Sequence, residues 1–175
     1  DVFSTTYPDF DALNVYCQKT GATVLRMAAE IGGYENSQTI EFAADLGIGV
    51  VLTDLIRDAG KHARRGRIYL PQDEMGQHGV SNADVLRFRE TESFSRLMTF
   101  QASRAERYLA SARIKLPRTD RRSQRGLLAL AGMCQALLRA LKQDEFQVLS
   151  RRTSLTPIRK LWIAWIADRG LTWIS

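Results

Sequence analysis

Residues 52–71 read LTDLIRDAGKHARRGRIYLP, and this stretch carries most of the chemistry visible in the sequence. Asp54 and Asp58 are four residues apart, a spacing that places two carboxylates on one face of a helix, one turn apart. His62 follows one further turn along the same face. The face continues upstream through small or apolar residues, which are Ala44, Gly47 and Val51. We therefore expect the carboxylates to point inward or into a cleft, where burial is costly unless a cation compensates the charge.

A basic loop follows the two carboxylates. Its cations are Lys61, Arg64, Arg65 and Arg67. Guanidinium groups bind phosphate oxygens in pairs, and Mg²⁺ prefers a few carboxylates together with waters and phosphate oxygens. The order of residues fits a site where Asp54 and Asp58 hold Mg²⁺ and the loop binds a diphosphate. The alternative is a solvated helix face followed by an ordinary basic loop, and the spacing by itself favours this alternative.

The composition of the 175 residues is typical of one globular domain, with 45% hydrophobic and 25% charged residues. Lysine and arginine together number 25 against 19 acidic residues, so the formal net charge is +6. Clustered positive charge fits an anionic partner such as a diphosphate, a nucleic acid or an acidic membrane surface. The sequence has neither a helix-turn-helix signature nor a basic stretch interleaved with aromatic residues, so we expect no nucleic-acid partner.

The two cysteines, Cys17 and Cys134, are far apart, and neither has a metal-binding spacing, which is typical of reduced, buried thiols in a cytoplasmic protein. The first ten residues lack the basic start and apolar run of a signal peptide. No apolar stretch approaches the roughly 18 residues that a membrane-spanning helix needs. Tryptophans cluster near the end of the chain, beside Arg159 and Lys160, and they are Trp162, Trp165 and Trp173. We expect this amphipathic end to dock onto the domain, with peripheral contact to a membrane surface as the alternative.

Apolar residues recur at helical spacing along most of the chain, and no alternating strand pattern of useful length is present. The periodicity predicts helices over about 13–31, 37–64, 83–116, 125–142 and 157–167. Candidate helix caps are Asp9 or Asp11 for the first helix and Ser81 or Asn82 for the third. Residues 71–83 are expected to be mostly loop. The sequence therefore predicts an all-α protein with helices long enough for a helical bundle.

Several segments resemble the squalene/phytoene synthase family. IRD at 56–58 and GRIYLPQD at 66–73 resemble the family's second aspartate-rich region, which reads LTNILRD and then, after a short basic stretch, GRxYLP. Tyr16-Cys17 resembles the start of the family's Y-C-x-x-V-A-G-x-V-G helix. FRETESFSRLMTFQASRAERYL at 88–109 and RKLWIAW at 159–165 are similar to the bacterial hopanoid-pathway branch, the presqualene diphosphate synthase type.

The resemblance implies an all-α fold of the isoprenoid-synthase type and a prenyltransferase that joins two farnesyl-type diphosphates head to head. The product would be presqualene diphosphate or squalene, formed through a cyclopropyl intermediate with Mg²⁺ as cofactor. Asp58 would then be a ligand of Mg²⁺ and diphosphate, while Arg57 and Arg67 would contact the diphosphate. Tyr16 would lie beside the cationic intermediate, and Tyr69 would line the pocket nearby.

The sequence departs from the family pattern within the aspartate-rich region itself. His62 stands where the family has its second aspartate, Lys61 replaces a glutamate, and Asp54 replaces an asparagine. Imidazole is a poor ligand for a hard cation such as Mg²⁺. The second motif is therefore degenerate in this chain.

The family's first aspartate-rich motif has no match in residues 1–15. We therefore expect residues 1–175 to form a single domain equivalent to the C-terminal part of the family fold, incomplete at its N-terminus. The missing helices would leave an apolar groove that a second copy of the chain could cover. Two functions stay open, namely a prenyl-group transferase if the native protein is complete, and a catalytically inactive homologue that acts as a lipid-binding or assembly protein.

Overall fold

A computed structural model describes residues 6–151 and 153–169, and these residues form helices joined by short connections. The α-helices are α1 (Phe10–Cys17), α2 (Thr23–Gly32), α3 (Gln38–Arg57), α4 (Ala59–Ala63), α5 (Gln72–Gln77), α6 (Asn82–Leu86), α7 (Glu92–Lys115), α8 (Arg125–Gln143) and α9 (Pro157–Asp168). A π-helical turn at Gln18–Ala22 joins α1 to α2, and a 3₁₀ turn at Thr119–Arg121 precedes α8. No strand occurs in this part of the chain, although an isolated parallel bridge pairs Tyr7 with Pro71. The predicted all-α class is confirmed.

The central helix of the bundle is α3, which packs against α1, α2, α7 and α8. More than half of its residues are buried, and Phe42 and Leu46 are fully enclosed. An opposing apolar surface comes from Leu97, Met98 and Leu109 of α7. Each such side chain contributes about 1.5–3 kcal/mol relative to exposure, so this contact holds α3 and α7 together.

The first helix begins at a cap that the sequence predicted. Asp9, one of the two candidates, caps α1, since its carboxylate accepts a hydrogen bond from the amide of Ala12 at 2.9 Å, and the helix starts at Phe10, three residues before the apolar periodicity begins at Leu13. The helix then passes through the π-helical turn into α2. It stops at Gly33, whose φ of 74° lies in the left-handed region that glycine adopts without steric cost.

The helix predicted over 83–116 is in fact two helices. The chain leaves α6 just before Phe88, which adopts a φ of 57°. A new helix, α7, starts at Glu92, because Thr91 caps it by accepting a hydrogen bond from the amide of Phe94 at 3.2 Å. The apolar spacing continues through this break, so periodicity alone misses it.

Two neighbouring predictions also need correction in detail. The helix predicted over 37–64 divides at Asp58, whose φ of −97° and ψ of 14° separate α3 from α4. The segment 71–83, predicted to be mostly loop, contains α5. Ser81 caps α6 as predicted, and its side chain forms a capping box with Asp84.

Buried polar contacts tie the short elements to the long helices. Glu74 of α5 accepts a hydrogen bond from Gln101 at 2.6 Å and forms a buried ion pair with Arg104, both on α7. Asp120, in the 3₁₀ turn, accepts a hydrogen bond from the Thr39 hydroxyl at 2.6 Å. This hydrogen bond lowers the pKa of the Asp120 carboxyl. Asp120 therefore stays ionised and anchors the turn to α3.

The C-terminal helix docks onto the bundle, as predicted, because Ile163 and Ala167 of α9 are buried and α9 packs against α8. Trp173, which the sequence grouped with this helix, lies outside the described residues.

Within residues 6–151 and 153–169, no helix has both the length and the apolarity to cross a membrane. Cys17 and Cys134 are free and buried, as expected.

Candidate functional site

The two predicted metal ligands lie one turn apart at the end of α3. The backbone hydrogen bonds from Asp58 N to Asp54 O and from His62 N to Asp58 O are each 2.9 Å, so the predicted stacking survives the break at Asp58. The Asp58 side chain is only 10% exposed, whereas that of Asp54 is 49% exposed. The inward orientation expected from the sequence therefore holds for Asp58 and only in part for Asp54.

Arg57 lies between these two carboxylates. Its Nη1 is 2.8 Å from Asp54 Oδ1, and its Nη2 is 2.7 Å from Asp58 Oδ2. Its Nε also donates to Asp58 Oδ1 at 3.1 Å, and the hydrogen bonding with Asp58 raises the pKa of Arg57. Arg57, expected to bind diphosphate, is thus engaged by carboxylates of the protein itself.

The donor set at this point fits Mg²⁺ poorly. Mg²⁺ requires several hard oxygen ligands in octahedral geometry, but the cation between Asp54 and Asp58 is already the Arg57 guanidinium, and a second cation beside it would be repelled. The next position of the motif is His62, whose imidazole is a poor Mg²⁺ ligand. Within the described residues, no group of three or more histidine, cysteine, aspartate or glutamate side chains is arranged to hold a metal ion. The Mg²⁺ role of Asp54 and Asp58 stays a prediction from the sequence.

His62 faces the aromatic part of the site. Its ring centroid is 4.7 Å from that of Tyr69, with an angle of 60° between the ring planes. Burial lowers the pKa of His62, and the nearby cations of Lys61, Arg65 and Arg67 lower it further, while Asp58 opposes them. The imidazole is therefore neutral at pH 7 and adds no charge to the site.

Tyr16 and Tyr69, the two predicted catalytic residues, come together in space. Their ring centroids are 5.5 Å apart, and Tyr7 lies against both, at 5.9 Å from Tyr16 and 5.7 Å from Tyr69. Burial raises the pKa of the Tyr7 phenol to about 12, so this hydroxyl stays neutral at all physiological pH values. The three rings form a continuous aromatic cluster, called the tyrosine cluster below.

The sequence pattern did not single out Tyr7. The backbone at Tyr7 pairs with the end of the GRIYLP motif, since Gln72 N donates to Tyr7 O at 2.9 Å and Asp73 N donates to Pro8 O at 3.1 Å. Such a contact joins segments far apart in the chain and leaves no periodic signal. The tyrosine itself, just before a helix cap, was the only visible hint.

Arg64 and Arg67, two of the loop arginines predicted to bind diphosphate, point in different directions. Arg67 lines a small cavity together with His62 and Tyr69. Arg64 points away from it, because its Nη1 donates to the carbonyl of Leu149 at 3.3 Å and its guanidinium lies 5.6 Å from the centroid of the Phe88 ring. The geometry therefore associates Arg67 with the tyrosine cluster and separates Arg64 from it.

Helices α1 and α2 carry exposed apolar side chains. The large ones are between 51% and 88% exposed, and they are Val15, Val24, Met27 and Ile31. An exposed apolar patch of this kind is typical of a surface that another segment or chain covers. Self-association through this patch stays a prediction.

Comparison with known proteins gives a family match over most of the chain. The sequence model described as squalene/phytoene synthase matches residues 1–159. Phytoene synthase 2 of the chloroplast of Solanum lycopersicum is 32% identical over 167 residues, which are 92% of this chain and 54% of that protein. The chain thus spans about half the length of this relative.

Two solved structures share the fold. The squalene synthase HpnC from Alicyclobacillus acidocaldarius superposes with a TM-score of 0.75 at 21% identity, covering 83% of this chain and 56% of that one. A dehydrosqualene synthase in complex with a ligand superposes with a TM-score of 0.79 at 18% identity, covering 96% of this chain and 59% of that one. At these identities the likeness establishes the fold, and the predicted helical architecture is confirmed.

Proposed function

Because the chain belongs to the squalene/phytoene synthase family, we propose that it takes part in the head-to-head joining of two prenyl diphosphates. The observation that carries this proposal is the tyrosine cluster, in which Tyr16 and Tyr69 approach to 5.5 Å beside the cationic turn at Arg67. An aromatic face next to a basic group fits a substrate that separates into a carbocation and a phosphate-type anion.

The proposed roles follow from charge development in the reaction. When the C–O bond of an allylic diphosphate breaks, the electron pair leaves with the diphosphate and an allylic cation remains. The electron-rich faces of Tyr16 and Tyr69 stabilise that cation, and Tyr7 packs against both rings. Arg67 binds the departing anion and keeps it apart from the cation until the second prenyl chain has reacted.

We further propose farnesyl-type substrates, with presqualene diphosphate or squalene as the product. The support is the similarity of the segments 88–109 and 159–165 to the hopanoid-pathway branch. Both segments are helical and lie in α7 and α9, apart from the first four residues of the former. The proposal concerns the whole protein, since this chain matches only 54% of the length of its relative from Solanum lycopersicum.

We also infer that the protein is cytoplasmic and rests on a membrane surface through α9. Large apolar residues on this helix are 45% to 79% exposed although the opposite side is docked on α8, and they are Ile158, Leu161, Trp162 and Trp165. The rings of Trp162 and Trp165 stack at 5.2 Å, and Arg159 and Lys160 next to them are exposed. Such a face fits the boundary between lipid headgroups and acyl chains, where prenyl products accumulate.

Incubation of the native protein with farnesyl diphosphate, with and without Mg²⁺, tests the proposed reaction. We expect diphosphate release coupled to a thirty-carbon product detected by mass spectrometry. Tyr16→Ala should lower kcat by about thirtyfold, because a desolvated cation–π contact is worth about 2 kcal/mol, whereas Tyr34→Ala, outside the cluster, should leave kcat unchanged. Absence of diphosphate release at saturating substrate under both conditions would refute the proposal.

A further inference from the structure

The last turn of α4 and the turn that follows it carry positive charge that their surroundings do not neutralise. The carboxylates nearest to them, Asp54 and Asp58, are both ion-paired with Arg57. In residues 6–151 and 153–169, no ion pair involves the four cations of this segment, which are Lys61, Arg64, Arg65 and Arg67, and of these Arg64 points away from the tyrosine cluster. An uncompensated group of cations of this size favours an anionic ligand.

The backbone of the turn holds Arg65 and Arg67 close to His62. The carbonyl of His62 accepts hydrogen bonds from the amides of both Arg65 and Arg67, at 2.9 Å and 3.0 Å. Gly66, between them, adopts a φ of 69°, so the chain reverses direction here with a residue that tolerates the left-handed region. Arg67 is thereby returned to the side of His62, where both line the same cavity as Tyr69.

The cations lie close enough to His62 to affect its protonation. Lys61, Arg65 and Arg67 each disfavour protonation of the imidazole, and Asp58 is the opposing carboxylate among the groups that act on it. The three side chains therefore act on one small region, although only Arg67 is partly buried and the other two are exposed. That region adjoins the tyrosine cluster through the contact between His62 and Tyr69.

We propose that Lys61, Arg65 and Arg67 bind the diphosphate group of a prenyl substrate directly, without a bridging Mg²⁺. The inference rests on the proposed function for the identity of the substrate, and it replaces the metal at this motif with side-chain cations. Charge-assisted hydrogen bonds from ammonium and guanidinium groups are short and strong, and a diphosphate offers enough oxygens for all three. Neutral His62 lets the anion approach where a carboxylate would repel it.

Isothermal titration of the protein with inorganic diphosphate tests the metal-independent contact. We expect binding in EDTA that Mg²⁺ does not strengthen, since complexation by Mg²⁺ removes negative charge from the ligand. Arg67→Gln and Lys61→Gln should each weaken binding by about tenfold or more, the loss expected for one hydrogen bond between charged groups. Arg122→Gln, which removes an exposed cation elsewhere, should leave the affinity unchanged. Binding that requires Mg²⁺, or an equal loss in Arg122→Gln, would overturn the inference.

A second pair of measurements identifies the ligand and separates the inference from the proposed reaction. Farnesyl thiodiphosphate, an unreactive analogue, should bind more tightly than inorganic diphosphate in EDTA, because its chain gains contact with the tyrosine cluster. Equal or weaker binding of the analogue would overturn the assignment to a prenyl substrate. In Lys61→Glu/His62→Asp, binding should become dependent on Mg²⁺, and unchanged behaviour would show that the turn is not the contact. Binding does not require turnover, so a protein that binds both ligands in EDTA but forms no product refutes only the reaction.

Discussion

At the scale of single residues, Tyr7 links the tyrosine cluster to the packing of the chain. Its buried ring contacts those of Tyr16 and Tyr69. Tyr7→Ala should lower the free energy of unfolding by about 3–5 kcal/mol, because a buried aromatic ring is lost. Tyr7→Phe keeps the ring and should cost no more than about 1.5 kcal/mol, the value of one hydrogen bond. Urea unfolding measures both, and equal losses would mean that the hydroxyl, not the ring, stabilises the cluster.

The pKa of Tyr7 also predicts the response of stability to alkali. Burial, together with the neighbouring Tyr69 and Tyr16, raises this pKa from 10.0 to about 12. The unfolded chain loses the proton first, so the stabilisation is complete below pH 10 and disappears as pH rises from 10 to 12. Unfolding free energies measured over this interval should fall more steeply in the native protein than in Tyr7→Phe. If the free energy of unfolding fell equally in the two proteins between pH 10 and 12, the loss of stability could not come from ionisation of Tyr7.

At the scale of elements, the crossing of the π-helical turn and α3 depends on two glycines. A Cβ on Gly47 would overlap the backbone of Gly21 and lie 2.5 Å from the amide nitrogen of Ala22. Gly47→Ala should therefore lower the free energy of unfolding by about 3 kcal/mol, since a tight backbone contact cannot relax. Gly76→Ala is the matched control, because a Cβ there meets nothing within 4 Å and alanine favours the helix. Thermal unfolding compares the two variants. Similar stabilities would mean that the contact between Gly47 and Gly21 has room for a methyl group.

The exposed face of α9 makes a separate prediction at this scale. Leu161→Ser/Trp162→Ser should greatly reduce sedimentation with vesicles of mixed neutral and anionic phospholipid, because the apolar contact and the Trp stack are lost. Ile114→Ser removes an equally exposed apolar residue from α7 and should leave sedimentation unchanged. Unaltered vesicle binding by the double variant would exclude α9 as the contact.

At the scale of the whole molecule, the helical bundle follows from apolar spacing, but its interruptions do not. Periodicity predicted α8 to within a residue, because its apolar face recurs regularly from Arg125 onward. The breaks at Asp58 and Phe88 escaped prediction, since the apolar spacing continues through both and the interruption depends on backbone torsions and on the Thr91 cap.

The site shows the same division between local and non-local information. The i, i+4 spacing correctly predicted that Asp54, Asp58 and His62 lie one helical turn apart, because backbone hydrogen bonds fix that geometry. The position of the Arg57 guanidinium between the carboxylates depends on a side-chain rotamer, which no spacing rule gives. The contact of Tyr7 with the GRIYLP segment depends on tertiary packing, so it too was beyond the sequence pattern.

The buried ion pair between Glu74 and Arg104 joins the segment that follows the site to the core of the bundle. Gln101 completes the pair from the same helix, and the Arg104 guanidinium also lies 3.9 Å from the centroid of the Phe10 ring, at the start of α1. Glu74→Gln leaves the Arg104 charge buried without its partner and should lower the free energy of unfolding by about 3–5 kcal/mol. Glu74→Leu/Arg104→Met removes both charges and should cost much less, because the desolvation penalty disappears together with the attraction. Urea unfolding distinguishes the variants. If the double variant is as unstable as Glu74→Gln, the packing of α1, α5 and α7 depends on the specific hydrogen bonds of the pair. Compensation of a buried charge would then not explain the loss.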